Sequence, residues 1–212
     1  MSANLYYQQD GITIIHGDCQ YKLLAGIDAI VTDPPYGVSE KTNRKEAGRA
    51  KLAECNDFPP VHGDDKPFDP TRWLTYSQVI LWGANHYADR LPASPSWLAW
   101  DKREGIPSND NADCELAWTN LGGPARLFHH MWYGMIKASE KSDKRVHPTQ
   151  KPIALMTWCI EMTKGVILDP FMGGGSTLVA AKRLGREAVG IEIEERYCEV
   201  AALRLQQGSL FA

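Results

Sequence analysis

The sequence predicts an α/β protein whose strands form a doubly wound sheet. Three observations carry that prediction. Short apolar runs such as Ala29-Ile30-Val31-Thr32 stop at polar or proline-containing turns, as buried parallel strands do. Runs with helical spacing lie between such segments in the carboxyl-terminal part, so strand and helix alternate. A strand, a glycine-rich turn and a helix start also follow one another without a break in Val166-Ile167-Leu168-Asp169-Pro170-Phe171-Met172-Gly173-Gly174-Gly175-Ser176-Thr177.

Taken in order, seven segments read as strands: 12–15, 28–32, 78–82, 97–100, 114–118, 166–169 and 188–193. Helical spacing predicts helices over 153–163, 176–184 and 195–206, and Ser176-Thr177 at the start of the second supplies hydroxyls of the kind that cap. The segments 37–72 and 120–147 are polar, rich in glycine, proline and charge, and lack periodicity. Both predict long loops, which in a compact domain are usually functional or mobile. A chain of 212 residues is most simply one domain, 1–212, with those two segments as insertions.

Composition excludes several classes. Hydrophobic residues make up 43% and charged residues 23%, the balance of a soluble globular protein. No apolar run approaches a membrane span, and Met1-Ser2-Ala3-Asn4 lacks a signal-peptide pattern, so a cytoplasmic location without a membrane partner is expected. Cys19, Cys55, Cys114, Cys159 and Cys198 are odd in number, scattered and without a C-x-x-C pair, which predicts reduced thiols and no metal site. The net charge of −3 does not advertise a polyanion binder, but the positive charge is clustered. Lys41, Arg44, Lys45, Arg49 and Lys51 form one basic run; Lys137, Lys141, Lys144, Arg145 and Lys151 form another. Alone these read as solvated loops; beside a site they would draw in phosphates.

The chemistry is concentrated in Asp33-Pro34-Pro35-Tyr36, which closes the strand candidate 28–32. Loops at the carboxyl ends of parallel strands are where open α/β sheets bind ligands. Two prolines fix the backbone and leave the Pro34 carbonyl free to accept. That carbonyl and the Asp33 carboxylate suit one exocyclic amino group, and Tyr36 offers a ring on which a flat base can stack. Downstream, the glycines after Asp169 let the backbone approach a ligand. Fifteen residues past Gly175, Gly190-Ile191-Glu192 ends another strand with an acid placed to accept from ribose hydroxyls. A nicotinamide dehydrogenase is the competing reading, but Gly173-Gly174-Gly175 does not match the spaced G-x-G-x-x-G fingerprint.

With these motifs in hand, the chain resembles DNA amino-methyltransferases that use S-adenosylmethionine. Asp33-Pro34-Pro35-Tyr36 precedes Asp169-Pro170-Phe171-Met172-Gly173-x-Gly175, and His147-Pro148-Thr149-Gln150-Lys151-Pro152 lies between them. That order resembles the beta group of adenine-N6 and cytosine-N4 enzymes, a circular permutation of the usual Rossmann-like methyltransferase fold. The resemblance covers nearly the whole chain and is strongest over 12–36, 79–119 and 146–200. It implies a seven-stranded, mostly parallel sheet with one antiparallel strand near an edge. It also implies roles. Asp18 and the Cys19 amide read the cofactor adenine, although Asp18 equally fits a cap at a strand–helix junction. Glu192 holds the ribose, Asp169, Pro170, Gly173 and Gly175 shape the loop around the methionine part, and Phe171 covers the cofactor. Thr149 and Lys151 meet the cofactor carboxylate. Asp33, Pro34, Pro35 and Tyr36 form the catalytic loop. Gly174 stands where the family often has serine, and Glu194-Glu195-Arg196-Tyr197 where it often has Asp-Pro-x-Tyr.

The implied reaction needs no enzyme-linked intermediate, so no cysteine should be essential. Hydrogen bonds from the target amine to Asp33 and the Pro34 carbonyl favour a pyramidal nitrogen whose lone pair can take a methyl group by in-line displacement. The target atom is out of reach inside a duplex, so the base must flip out onto Tyr36. Asp-Pro-Pro-Tyr leans to adenine in this family; cytosine-N4 methylation, an RNA or protein-glutamine substrate, and a DNA-binding module with a retired site are the alternatives. DNA is the expected partner, and a second copy of the chain is left open.

Overall fold

Strand β3 (Ala29–Thr32) is buried at every position, and its place in the sheet explains why. It runs parallel between β10 (Ile167–Asp169) and β4 (Gln78–Trp82), and residues pack against both faces of the sheet there, so no alternation with polar residues survives. The computed structural model describes residues 4–21, 25–39, 58–107, 112–133, 136–141 and 145–207. Among these, the remaining strands are β1 (Asn4–Gln9), β2 (Ile12–His16), β5 (Trp97–Asp101), β6 (Cys114–Thr119), β7 (Arg126–His129), β8 (Trp132–Tyr133), β9 (Ile136–Lys137) and β11 (Ala188–Glu192). The helices are α1 (Ile153–Glu161), α2 (Ser176–Arg183) and α3 (Glu195–Gln207).

The main sheet has the order β1-β2-β11-β10-β3-β4-β6-β5-β7. All seven expected strands are present within a residue of their expected ends. Two further strands, β1 and β7, extend the sheet to nine at its edges. β1 joins β2 through Asp10 and Gly11, both at positive φ (51° and 77°), a two-residue hairpin turn with the twist such turns favour. Strand β6 is antiparallel to both β4 and β5, the reversal expected near an edge. The segment 120–147 is not the loop its composition predicts. It supplies β7, paired with β5, and the small β8–β9 hairpin. Of the basic residues singled out above, Lys41, Arg44, Lys45, Arg49, Lys51 and Lys144 lie outside the described residues, as does Cys55.

Successive strand residues alternate between two cores. Ile12, Ile14, Val31, Ile80, Trp82, Leu98 and Trp100 pack with the buried faces of α1, α2 and α3. Ile15, Ile30, Val79, Leu81 and Leu168 face the other way, against Phe68, Trp73 and Tyr87. That second face is covered by short 3₁₀ turns at Trp73–Thr75, Ala84–His86 and Ala88–Arg90. Helix α2 starts one residue earlier than its hydroxyls suggest. Gly175 is its N-cap, at φ 76°, and no side chain caps it. A Cβ there would lie 2.7 Å from that of Ala201 on α3, so only glycine lets the two helices meet. Ser176 and Thr177 are consequently inside the first turn and buried.

From β3 the chain moves to β4 on one side; from β10 it moves to β11 on the other. The carboxyl ends of β3 and β10 therefore form a topological switch point, where a crevice opens in such sheets.

Candidate active site

A cleft of about 1910 Å³ opens at that switch point. Its walls include Asp18, Cys19, Asp33, Pro34, Pro35, Tyr36, Thr149, Lys151, Asp169, Pro170, Phe171, Gly173 and Glu192, brought together from five separate stretches of sequence. Gly175 is not on the wall; its glycine serves the α2–α3 contact instead.

The Asp33 carboxylate is held from both sides. The Tyr36 hydroxyl donates to Oδ1. The Lys151 ammonium donates to Oδ2 at 2.6 Å and to the Tyr36 oxygen at 3.2 Å. Lys151 also pairs with Glu115 Oε2 at 3.0 Å, and Lys102 donates to Glu115 Oε1 at 2.9 Å. Burial pushes the Asp33 carboxyl above its ordinary range, opposed by Lys151. Burial acts on Glu115 in the same direction, but Lys151 and Lys102 outweigh it and hold that carboxyl down to about 2. Burial disfavours the proton on Lys151; Asp33 and Glu115 reverse this and raise its affinity for the proton. The ammonium lies between two protein carboxylates, Asp33 and Glu115, which compensate a cation with 8% of its side chain exposed.

The loop is fixed by residues that carry no motif. Asp64 Oδ1 accepts from the backbone N–H groups of Tyr36 (3.0 Å), Gly37 (2.9 Å) and Val38 (3.3 Å), so one buried carboxylate sets the turn after the tetrapeptide. Gly83, at φ 68°, lies so close to Tyr36 that an added Cβ would be 1.9 Å from Cε1 of the ring. His86 stacks on Tyr36 with centroids 4.9 Å apart and planes 11° from parallel. The turn after β4 therefore borders the loop.

Across the cleft, Asp169 Oδ1 accepts from the Thr32 hydroxyl at 2.6 Å and the Phe171 amide at 3.2 Å. Burial raises its carboxyl to about 6, with Thr177, Thr32 and the Phe171 amide pulling the other way. Glu192 accepts from the amides of Gly173 and Glu194, both at 2.9 Å, and burial raises it as well. Asp18 accepts from the Gln20 amide at 2.8 Å, the capping arrangement, while still facing the cleft. Cys19 is buried and its thiol is pushed up to about 12, so it is inert as a nucleophile. Phe171 meets Phe68 and Trp73 edge-on, at 5.7 and 5.9 Å. Thr149 donates to His147 Nδ1 through its backbone N–H at 3.3 Å. His147 packs on Tyr197 and against Gly173, and burial with nearby cations lowers it to about 3.

These groups fit a nucleoside cofactor. Glu192 and Asp18 offer acceptors for ribose hydroxyls and an adenine amine, Phe171 offers an aromatic wall, and Gly173 and Gly174 leave a backbone cradle that side chains would narrow against His147 and Val146. Among the described residues no group of three metal-ligating side chains occurs, and no helix is long and apolar enough to cross a membrane.

Comparison with known proteins agrees with this geometry. The family model for DNA methylases, N6_N4_Mtase, matches residues 100–203. The type II methyltransferase M2.LlaDCHI of Lactococcus lactis subsp. cremoris is 25% identical over 254 aligned positions, covering 97% of this chain and 93% of the relative. M2.DpnII of Streptococcus pneumoniae is 26% identical, covering 95% and 92%. Among solved structures, the M1.HpyAVI–SAM complex superposes with a TM-score of 0.57 at 24% identity, covering 92% of this chain and 98% of that one. The PvuII cytosine-N4-specific DNA methyltransferase superposes at 0.56 with 13% identity, covering 91% and 86%, a likeness of fold. The fold and site define a methyltransferase of the Rossmann-like class. The family model and the two type II relatives together support an N6/N4 DNA methyltransferase family, whose cofactor is S-adenosylmethionine.

Proposed function

We propose that this protein methylates the exocyclic N6 amine of adenine in DNA, after the base has flipped out of the duplex. The observation that carries the reading is the Asp33-Pro34-Pro35-Tyr36 loop, whose carboxylate is buried, doubly held and open to the cleft. Asp18, Glu192 and the loop from Asp169 to Gly173 would hold S-adenosylmethionine, with Phe171 as an aromatic wall. When bound, the cofactor supplies a methyl group on a cationic sulfur, which the amine takes by direct in-line displacement.

The chain's own residues do the rest. Asp33 and the Pro34 carbonyl accept the two amine protons, which localises the nitrogen lone pair and fixes its direction. As the nitrogen gains positive charge, the Asp33 carboxylate stabilises it, and then takes the proton that the alkylated amine sheds readily. The Tyr36 hydroxyl keeps Asp33 in one rotamer. The His86 ring on Tyr36 marks a place where a flat ring is held. The flipped base either replaces it or lies on the opposite face. The segments 37–72 and 120–147 would serve as DNA-contact insertions of the single domain.

Incubating the protein with labelled S-adenosylmethionine and DNA, followed by nucleoside analysis, tests the reading. N6-methyladenine is the expected product. N4-methylcytosine would transfer the same mechanism to cytosine; cofactor binding with no methylated base in DNA, RNA or protein would mark a retired site.

A further inference from the structure

Glu115 and Lys102 have no part in the mechanism above, yet they complete its best-organised charge row. Glu115 reaches the site because β6 is antiparallel. Residues near its start lie at the same end of the sheet as the carboxyl ends of β4 and β5, and the register Trp82↔Ala117 leaves Glu115 two residues beyond β4. Lys102 directly follows β5, whose Asp101 pairs with Cys114. The row then reads Lys102, Glu115, Lys151, Asp33, with spacings of 2.9, 3.0 and 2.6 Å, and ends on the Tyr36 hydroxyl.

We propose that Glu115, itself anchored by Lys102, is a positioning residue for methyl transfer: it fixes the Lys151 ammonium against Asp33, and Lys151 serves that carboxylate and not the cofactor. This rests on the reading that Asp33 receives the target amine. An ammonium has three N–H donors. Asp33 Oδ2 and the Tyr36 oxygen accept from it at 2.6 and 3.2 Å, and Glu115 Oε2 stands at ion-pair distance, 3.0 Å, so a cofactor carboxylate would have to compete with three protein oxygens already around the ammonium. A lysine stem has many rotamers, and a second carboxylate removes the freedom that Asp33 alone would leave. Glu115 Oε2 is buried and accepts no hydrogen bond, so the ion pair with Lys151 is its compensation and is not shared with solvent.

The ionisation of Asp33 reads this row directly. The charged and titratable groups that act on Asp33 or feel it are Lys151, Glu115, Tyr36, Asp169 and Tyr87. Lys151 favours the carboxylate and Glu115 disfavours it. Hence Lys151→Met should move Asp33 titration to higher pH, and Glu115→Gln, which keeps an acceptor for Lys151 but removes the charge, to lower pH.

The experiment follows the Asp33 carboxyl by carbon NMR in the whole protein and in Glu115→Gln, Glu115→Ala and Lys151→Met, together with S-adenosylmethionine affinity and turnover on DNA. Expected are opposite titration shifts for Glu115→Gln and Lys151→Met. Glu115→Ala should lose about 10- to 100-fold in kcat with cofactor Kd changed less than about threefold, and Glu115→Gln should recover most of kcat. Unmoved Asp33 titration in Glu115→Gln overturns the proposal, as does a Glu115→Ala protein with normal kcat or with its loss in cofactor affinity alone. If Glu115→Ala does not fold, the Glu115→Gln titration decides. A wild-type protein that makes no N6-methyladenine while the titration shifts appear would overturn the substrate reading and leave the row standing.

Discussion

The Thr32 hydroxyl donates to Asp169 Oδ1 at 2.6 Å, joining the last residue of β3 to the last residue of β10 across 137 positions of sequence. Through this one bond the loop expected at the target base and the loop expected at the cofactor share a rigid origin. Neither loop can shift along the sheet without straining a hydrogen bond to a buried carboxylate. Alignment of amine and methyl donor is what an in-line transfer demands, and this bond ties the two loops that would hold them.

Asp33→Ala should abolish methyl transfer, a loss of at least roughly 1000-fold, while leaving cofactor affinity nearly unchanged. Asp18 and Glu192 lie elsewhere on the cleft wall and do not depend on Asp33. Because Glu115 still pairs with Lys151, the stability cost should stay below the roughly 3–5 kcal/mol of an orphaned buried charge. Calorimetry with S-adenosylmethionine and a turnover assay check both parts. Retained turnover would sink the mechanism.

At Tyr36, tryptophan should preserve more activity than alanine, because stacking needs a ring face. The structure adds a role for the hydroxyl, which holds Asp33 and accepts from Lys151. Tyr36→Phe should therefore fall between wild type and Tyr36→Ala in kcat. Equal activity for alanine and tryptophan would show that no base stacks here.

Gly83→Ala should destabilise the fold by roughly 2–4 kcal/mol and reduce activity, since a Cβ at φ 68° is strained and also strikes the Tyr36 ring. Thermal melting and kcat measured on the folded fraction test this. Unaltered kcat would mean that Tyr36 is not held from this side.

Asp169 gives a pH dependence of defined sign. Its carboxyl is raised by burial to about 6, above its value in the unfolded chain. Between about pH 4 and 6 the folded protein therefore binds more protons than the unfolded one. This contribution to stability is fully present below that window and lost as pH rises through it, by roughly 3 kcal/mol. The difference in unfolding free energy between wild type and Asp169→Asn, followed by urea titration, should change in the variant's favour across that window and stay level above it. A flat difference would refute the assignment.

Much of this was legible in the chain. The seven expected strands and three helices declare themselves because their apolar runs are buried on one or both faces. Strand β1 does not, because almost all of its residues are exposed, and only Asp10-Gly11 signals the hairpin. β7 is mostly exposed as well, and tertiary contact, including Phe128 stacked on Trp158 at 5.0 Å, defines that edge. The motif residues were readable because each brings its own chemistry. Asp64, Glu115 and Lys102 were not, since their roles depend on loop closure and on the reversal of β6. A glutamate within an otherwise apolar strand was the one available signal for Glu115.

Sequence specificity should be short or relaxed, with steep salt dependence. The interval from Asn120 to Val146 carries Arg126, His129, His130, Lys137, Lys141, Lys144 and Arg145, the residues first in line to meet DNA. The structure gives several of them partners within the protein. His129 pairs with Asp101 at 3.0 Å, His130 bonds Ser139 at 2.9 Å, and the Lys137 ammonium sits 4.8 Å from the centre of the Trp132 ring. Such groups can still lean on phosphates but are poorly placed to read several base edges at once. With about four to six phosphate contacts, affinity should fall by roughly 100- to 1000-fold between about 50 and 200 mM salt. Mapping methylated bases after treating mixed DNA, at two salt concentrations, tests both parts. A long, strictly required recognition sequence read by the purified monomer would show that a few exposed cations on one edge of the sheet suffice for full base readout, contrary to this account.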